Sequence, residues 1–223
     1  MAFGEYIIGG ANVGAVYHFN GNANDSSGNA RNATATNVSY DAGFLGSGSA
    51  TLNGSNAYLN CGFIPQFGSA SFFLSIKFKT STSASNIWLL GQYNGTKIYG
   101  IIQDTNINGQ NKIGFLLRDG NSVGYQSDAS PAAINDGKQH EFTLIVDRSA
   151  NKVYGIFDGS LTINNSITFT GSFTGTINCF IGAQNGPASY FTGNVDEAII
   201  GYYAPTPSDA IRKYTSSKGR LVC

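Results

Sequence analysis

The stretch Ala15–Thr34 reads AVYHFNGNANDSSGNARNAT. Its short apolar run ends at Phe19, and Asn20, Gly21, Asn22, Asn24, Asp25, Ser26, Ser27, Gly28 and Asn29 follow. Glycine and asparagine accept left-handed backbone, and Asx side chains bond their own backbone, so a strand runs here into a tight, oxygen-rich loop. The same oxygens suit a hard cation such as Ca²⁺, which gathers about six to eight of them from flexible loops.

Outward from this loop the chain continues as short apolar runs broken by Gly, Asn and Ser. In Phe72–Thr80 the side chains of Phe72, Leu74, Ile76 and Phe78 share one face, while Ser75, Lys77 and Lys79 share the other. That period of two predicts a half-buried strand. His140–Asp147 repeats it, with His140, Phe142, Leu144 and Val146 inward. Further strands are expected at 15–19, 49–52, 57–61, 87–92, 97–103, 112–118, 122–126, 152–157, 163–169, 176–181 and 195–203. Asp119-Gly120 and Asp158-Gly159 read as hairpin turns. About a dozen strands at short spacing predict a two-sheet sandwich. The helical signal is at Ser208–Thr215, where Pro207 and Ser208 open it and Ile211 and Tyr214 share a face. No linker-like block or internal repeat divides the chain. The reading is one domain at 13–215, an N-terminal arm at 1–12 and a tail at 216–223.

The composition narrows the function. Of 223 residues 41% are apolar, enough for a core, and only 12% are charged, about half the usual share. Net charge is zero and the basic residues are scattered, which excludes an electrostatic footprint for nucleic acid. No apolar run approaches the roughly 20 residues that cross a bilayer as a helix, so membrane insertion is not expected. The opening Met1–Ile8 lacks a basic region followed by a long apolar one, so it does not read as a secretory signal. Phe3, Tyr6, Ile7 and Ile8 make the arm apolar, suited to docking on a neighbouring subunit. Cys61, Cys179 and Cys223 make no disulfide framework and read as structural thiols; a Cys61–Cys179 bridge stays open.

Several segments resemble, in order, the motifs of laminin-G-like domains of the concanavalin A-like lectin/glucanase superfamily. These are the loop at 15–34, Ala50–Leu59, Ser71–Thr80, Asp136–Phe142, Lys152–Gly159 and Phe191–Ala198, with Pro207–Tyr214 fitting the short terminal helix. Gln139 stands where that family usually carries Trp. The resemblance covers about residues 13–215 and implies an all-β, antiparallel jelly-roll sandwich of two sheets with one short C-terminal helix. It also places a metal between the first loop and the acidic pair of the closing strand. Asn20, Asp25 and Asp196 are therefore the candidate calcium ligands, with Asn20 lowering the charge where the family often has Asp. The competing reading of the same loop is a turn whose Asx side chains bond only its own backbone.

No catalytic residue is expected. Glycosidases need two carboxylates about 5–10 Å apart, and the chain offers three glutamates, Glu5, Glu141 and Glu197. No strand carries Glu-x-Asp-x-Glu, and the adjacent Asp196 and Glu197 face opposite sides of theirs. His140 reads as a core imidazole bonded to a neighbour. Sugar binding would draw on aromatic faces beside amides: Tyr93, Tyr125 and Tyr190 qualify, whereas Trp88, the sole tryptophan, reads as core.

Two functions follow. The first is a non-catalytic structural or adhesive component of a bacteriophage particle, in its tail or on its capsid surface, partnered by other virion subunits or by its own copies. The alternative is a carbohydrate-binding or adhesion module of a secreted or cell-surface protein, whose ligands are glycans.

Overall fold

A computed structural model of the chain describes residues 12–44, 46–63, 65–103, 111–185 and 188–218. Fifteen strands appear in these residues. They are β1 (Val13–Tyr17), β2 (Thr34–Thr36), β3 (Ser39–Asp41), β4 (Ser49–Asn53), β5 (Tyr58–Asn60), β6 (Phe72–Lys79), β7 (Ile87–Tyr93) and β8 (Ile98–Gln103). The chain continues with β9 (Ile113–Arg118), β10 (Gly124–Asp128), β11 (Gln139–Asp147), β12 (Lys152–Phe157), β13 (Ser160–Ser166), β14 (Phe180–Ile181) and β15 (Thr192–Gly201). One helix, α1 (Pro207–Lys218), closes the described chain. It runs past the expected end at Thr215. The arm at 1–12 lies outside the described residues but for Asn12, whose carbonyl accepts from Tyr202 N at 2.7 Å.

The strands form two antiparallel sheets. One runs β13-β12-β11-β6-β15-β4-β3, with β1 added against β15; the other runs β10-β9-β8-β7-β14-β5-β2. The expected core holds: Phe72, Leu74, Ile76, Phe78, Phe142, Leu144 and Val146 are all fully buried between the sheets. This is the all-β sandwich with a terminal helix.

The structure departs from the sequence reading in several places. β6 is buried on both faces, Ser75 and Lys77 included, because α1 and Tyr203 cover the outer face. There Phe73, Ile145, Ile156 and Ile199 pack with Ala210 and Ile211 as a second apolar cluster. Asp158 and Gly159 both have positive φ (46° and 76°), as a two-residue hairpin turn demands. That turn starts β13 at Ser160, three residues before the expected Ile163. Asp119-Gly120 is no such turn: the loop runs to Val123, organised by the Asp119 carboxylate. Its Oδ1 accepts from Asn121 N and Val123 N, and its Oδ2 from Thr170 N and Gly171 N. Cys61 and Cys179 are free, fully buried thiols across the β5–β14 pair.

Candidate functional site

The first loop is built by hydrogen bonds to its acid and amide oxygens. Asp25 Oδ1 accepts from Val16 N at 2.9 Å and Ser27 N at 2.8 Å; Oδ2 accepts from Ser27 Oγ at 2.8 Å and Arg31 N at 3.0 Å. Burial works against the charge of Asp25, but the N–H groups of Val16, Ser27 and Arg31 outweigh it and hold the carboxyl below its ordinary range. Asn20 Oδ1 points elsewhere, accepting from Ser47 N and Gly48 N at 3.0 Å each. Asp196 Oδ2 accepts from Phe44 N.

Asp196 thus holds Phe44 and Asn20 holds Ser47 and Gly48, whereas Asp25 bonds back to β1 through Val16. A Cβ on Gly43 would lie 2.4 Å from Gly48 O and 3.0 Å from Asp196 Oδ2, so only glycine lets the chain pass there. A carboxylate offers about four lone-pair directions, and those of Asp25 already meet four donors. A calcium ion would have to displace them, so these residues as placed do not fit the ion. Among the described residues no three His, Cys, Asp or Glu side chains converge on one point.

On the outer face of the eight-stranded sheet lies a constellation that sequence spacing did not reveal. Glu141, Lys77 and Glu197 stand directly opposite one another on β11, β6 and β15. Lys77 Nζ is 3.5 Å from Glu141 Oε2 and 3.6 Å from Glu197 Oε2. His18 extends the row, its Nδ1 3.1 Å from Glu197 Oε1. From α1, Lys213 Nζ reaches Glu141 Oε1 at 2.8 Å and Ser75 Oγ at 2.9 Å.

The row brings two carboxylates close, yet its electrostatics oppose glycoside hydrolysis. A general acid needs a raised pKa. Burial would raise that of Glu197, but His18, Lys213 and Lys77 overcome it and bring the value down to about 2. Glu141 exposes only 4% of its side chain, leaving no room for substrate. The other histidine, His140, is stacked 5.2 Å from Phe157 and shared by Asp158 (2.8 Å) and Asp136 (3.1 Å).

The outer face of the seven-stranded sheet is different in kind. One transverse row reads Thr34, Asn60, Phe180, Gly91, Gly100, Leu116 and Gln126. Gly100 leaves a trough that the indole of Trp88 fills, packed with Ile98 and Ile102. Trp88 is therefore buried as expected, but on the sheet's outer side rather than between the sheets, and its Nε1 has no hydrogen-bond partner among the described residues. Tyr93 meets it edge-on at 5.8 Å.

Toward the free edge the trough opens into a groove of about 210 Å³ lined by Leu116, Leu117, Arg118, Gly124, Tyr125 and Gln126. Arg118 and Gln126 are exposed, and Arg118 Nη1 donates to Gly95 O at 3.3 Å. Tyr125 packs edge-on against Phe115 at 5.5 Å. Of the three tyrosines singled out in the sequence, Tyr93 packs on this outer face, whereas the Tyr125 ring turns inward against Phe115. Tyr190 packs on Tyr58 of β5, toward the other side of the sheet. Arg118 and Gln126 were not identified from sequence, because only the β8-β9-β10 register brings them beside each other.

No family model and no curated relative matches the chain. Several solved structures share its architecture. Domain 4 of AbnA, a GH43 extracellular arabinanase from Geobacillus stearothermophilus in complex with arabinotriose, superposes with a TM-score of 0.72 at 21% identity. The match covers 91% of this chain and 98% of that one. The binding domain of Paraclostridial Mosquitocidal Protein 1 superposes with a TM-score of 0.73 at 14% identity over 92% of this chain. The match covers 52% of that domain, so the chain spans about half its length. The CBM40 of Ruminococcus gnavus IT-sialidase, bound to α2,3 sialyllactose, gives a TM-score of 0.53 at 17% identity, over 65% of this chain and 83% of that one. At these identities the likeness shows the fold alone, a two-sheet antiparallel β-sandwich. Among the described residues no helix is long and apolar enough to cross a membrane.

Proposed function

We propose that this chain is a non-catalytic, laminin-G-like carbohydrate-binding module that takes a glycan in the groove between β9 and β10. The observation that carries the reading is the groove itself. An apolar floor of Leu116 lies beside the Arg118 guanidinium and the Gln126 amide, both exposed and on the same outer face of β9 and β10. Binding sites for small polar ligands combine such apolar walls with a few placed hydrogen-bonding groups. Support comes from the structural likeness to an arabinotriose-bound domain and to a sialyllactose-bound module. The lowered pKa of Glu197 and the burial of Glu141 support the absence of hydrolysis.

In this reading the module acts outside the cell or at its surface. An adhesive place on a bacteriophage particle, among other virion subunits, ranks second, since its particular support is the apolar arm at 1–12.

A glycan array followed by calorimetric titration of the best ligand tests the proposal. Arg118→Ala and Gln126→Ala are each expected to weaken binding about tenfold, the loss of one hydrogen-bonding group of about 1.4 kcal/mol, without shifting the melting temperature. Failure to bind any glycan, or equal affinity in both variants, would overturn it.

A further inference from the structure

The two long free edges of the sandwich lie on one lateral side. β13 ends the eight-stranded sheet and β10 ends the seven-stranded one. The two edges are tied together by a hydrogen bond from Asn165 Nδ2 of β13 to Tyr125 Oη of β10. On the opposite side the sheets end in β3 and β2, three residues each.

A free edge presents a row of unpaired N–H and C=O groups, and proteins blunt it by shortness, by lysine or proline, or by bulges. β2 and β3 are short. β13 is seven residues long, reads Ser-Leu-Thr-Ile-Asn-Asn-Ser, and contains no charged residue and no proline. A single bulge leaves Thr162 as the extra residue of β13 opposite Gly155/Ile156, and beyond it the pairing from Ile163 to Ser166 is regular. Ser160, Leu161, Asn164, Asn165 and Ser166 are exposed, and Leu161, at 42%, is the exposed large hydrophobic among the described residues. Leu161 lies opposite Ile156 on the sheet's outer face, beside α1.

We propose that β13 is a self-association edge. It pairs antiparallel with β13 of a second copy and continues the eight-stranded sheet across a two-fold axis normal to it. An uncharged strand sets no like charges opposite one another in any register, so nothing in its side chains opposes pairing with itself. Antiparallel pairing of identical strands is the two-fold, self-complementary contact of a closed dimer. Leu161 of each copy is then covered near the new seam.

The size of the contact fixes its strength. Seven residues at about 3.3 Å each, over two sheets about 10 Å apart, give a patch of roughly 230 Å² per copy. The total, roughly 460 Å², is at the low end of weak and transient interfaces, so association is expected only at high protein concentration. The axis normal to the sheet leaves the outer faces of both seven-stranded sheets pointing the same way. If the glycan reading above holds, both grooves face one surface; the pairing itself does not depend on that reading.

Sedimentation velocity of the full chain from about 5 to 500 µM tests the proposal, beside a Leu161→Lys/Asn164→Lys variant. The expected result is a concentration-dependent rise toward twice the 23.5 kDa of one chain. The variant is expected to stay at one chain's mass with unaltered melting. A wild-type chain that stays monomeric throughout, or a variant that associates as well as the wild type, overturns it. Should the variant fail to fold, hydrogen exchange on the wild type decides. Protection of alternate amides within 160–166 that grows with concentration supports the pairing, and protection that does not change, or that grows only elsewhere, rejects it.

Discussion

Lys77 Nζ lies 3.5 Å from Glu141 Oε2 on the neighbouring strand, and the two side chains expose 1% and 4% of their surface. With Glu197, His18 and Lys213 they form a charged row that links β1, β15, β6 and β11 to α1. The first strand and the last helix are therefore both anchored on the central strand of one sheet. Such a network is weak evidence for net stability, because desolvation offsets attraction, but removing a single partner leaves an uncompensated buried charge.

Lys77→Met is accordingly expected to cost about 3–5 kcal/mol in urea unfolding, and Lys77→Met with Glu141→Gln to recover part of it. A single-variant loss below about 1 kcal/mol would show that the row is solvated in solution.

Stability should fall as pH rises above neutrality. The hydrogen bond to Glu197 raises the pKa of His18. Burial opposes the charge of His140, but Asp158 and Asp136 overcome it and raise that pKa too. A group raised on folding stabilises fully below its unfolded value of about 6.5, and the contribution is lost as pH passes through the folded value. Melting curves between about pH 6 and 9 should show this decline, and His18→Gln with His140→Gln should flatten it. Glu197 acts at the other end: its contribution is present above the ordinary value of 4.5 and lost as pH falls through about 2.

The Asp25 carboxylate already meets four donors, so added calcium or a chelator is expected to leave melting unchanged. Asp25→Ala should cost about 2–3 kcal/mol with or without the ion, through the N–H donors it strands. A calcium-dependent rise in melting that Asp25→Ala abolishes would establish instead a site at Asn20, Asp25 and Asp196.

Gly100→Ala is expected to displace the only tryptophan. A Cβ there would lie 2.1 Å from the Trp88 ring. Overpacking of this kind costs about 1–3 kcal/mol, and the indole should move toward solvent, shifting its emission to longer wavelength. An emission maximum identical to the wild type would mean that the trough has slack.

The two-sheet sandwich was legible in the sequence because it rests on local periodicity. Leu74, Ile76 and Phe78 alternate with Ser75, Lys77 and Lys79 whatever strand they pair with, and Asp158-Gly159 turns tightly on its own conformational preferences. The site was not legible, because its members are neighbours only across strands. Glu141, Lys77 and Glu197 are 64 and 120 positions apart in sequence (Lys77 to Glu141, Lys77 to Glu197) and meet only through the β11-β6-β15 register. Arg118 and Gln126 likewise share a groove only once β10 folds back on β9. The sequence determined which residues alternate and where the chain turns, since those depend on bonds between near neighbours. The tertiary structure alone decided that Lys77 is a buried ion beneath α1, that Trp88 fills a trough outside the core, and that β13 is a free edge. Those depend on which strand lies beside which, and long-range pairing leaves no mark at fixed spacing in the chain.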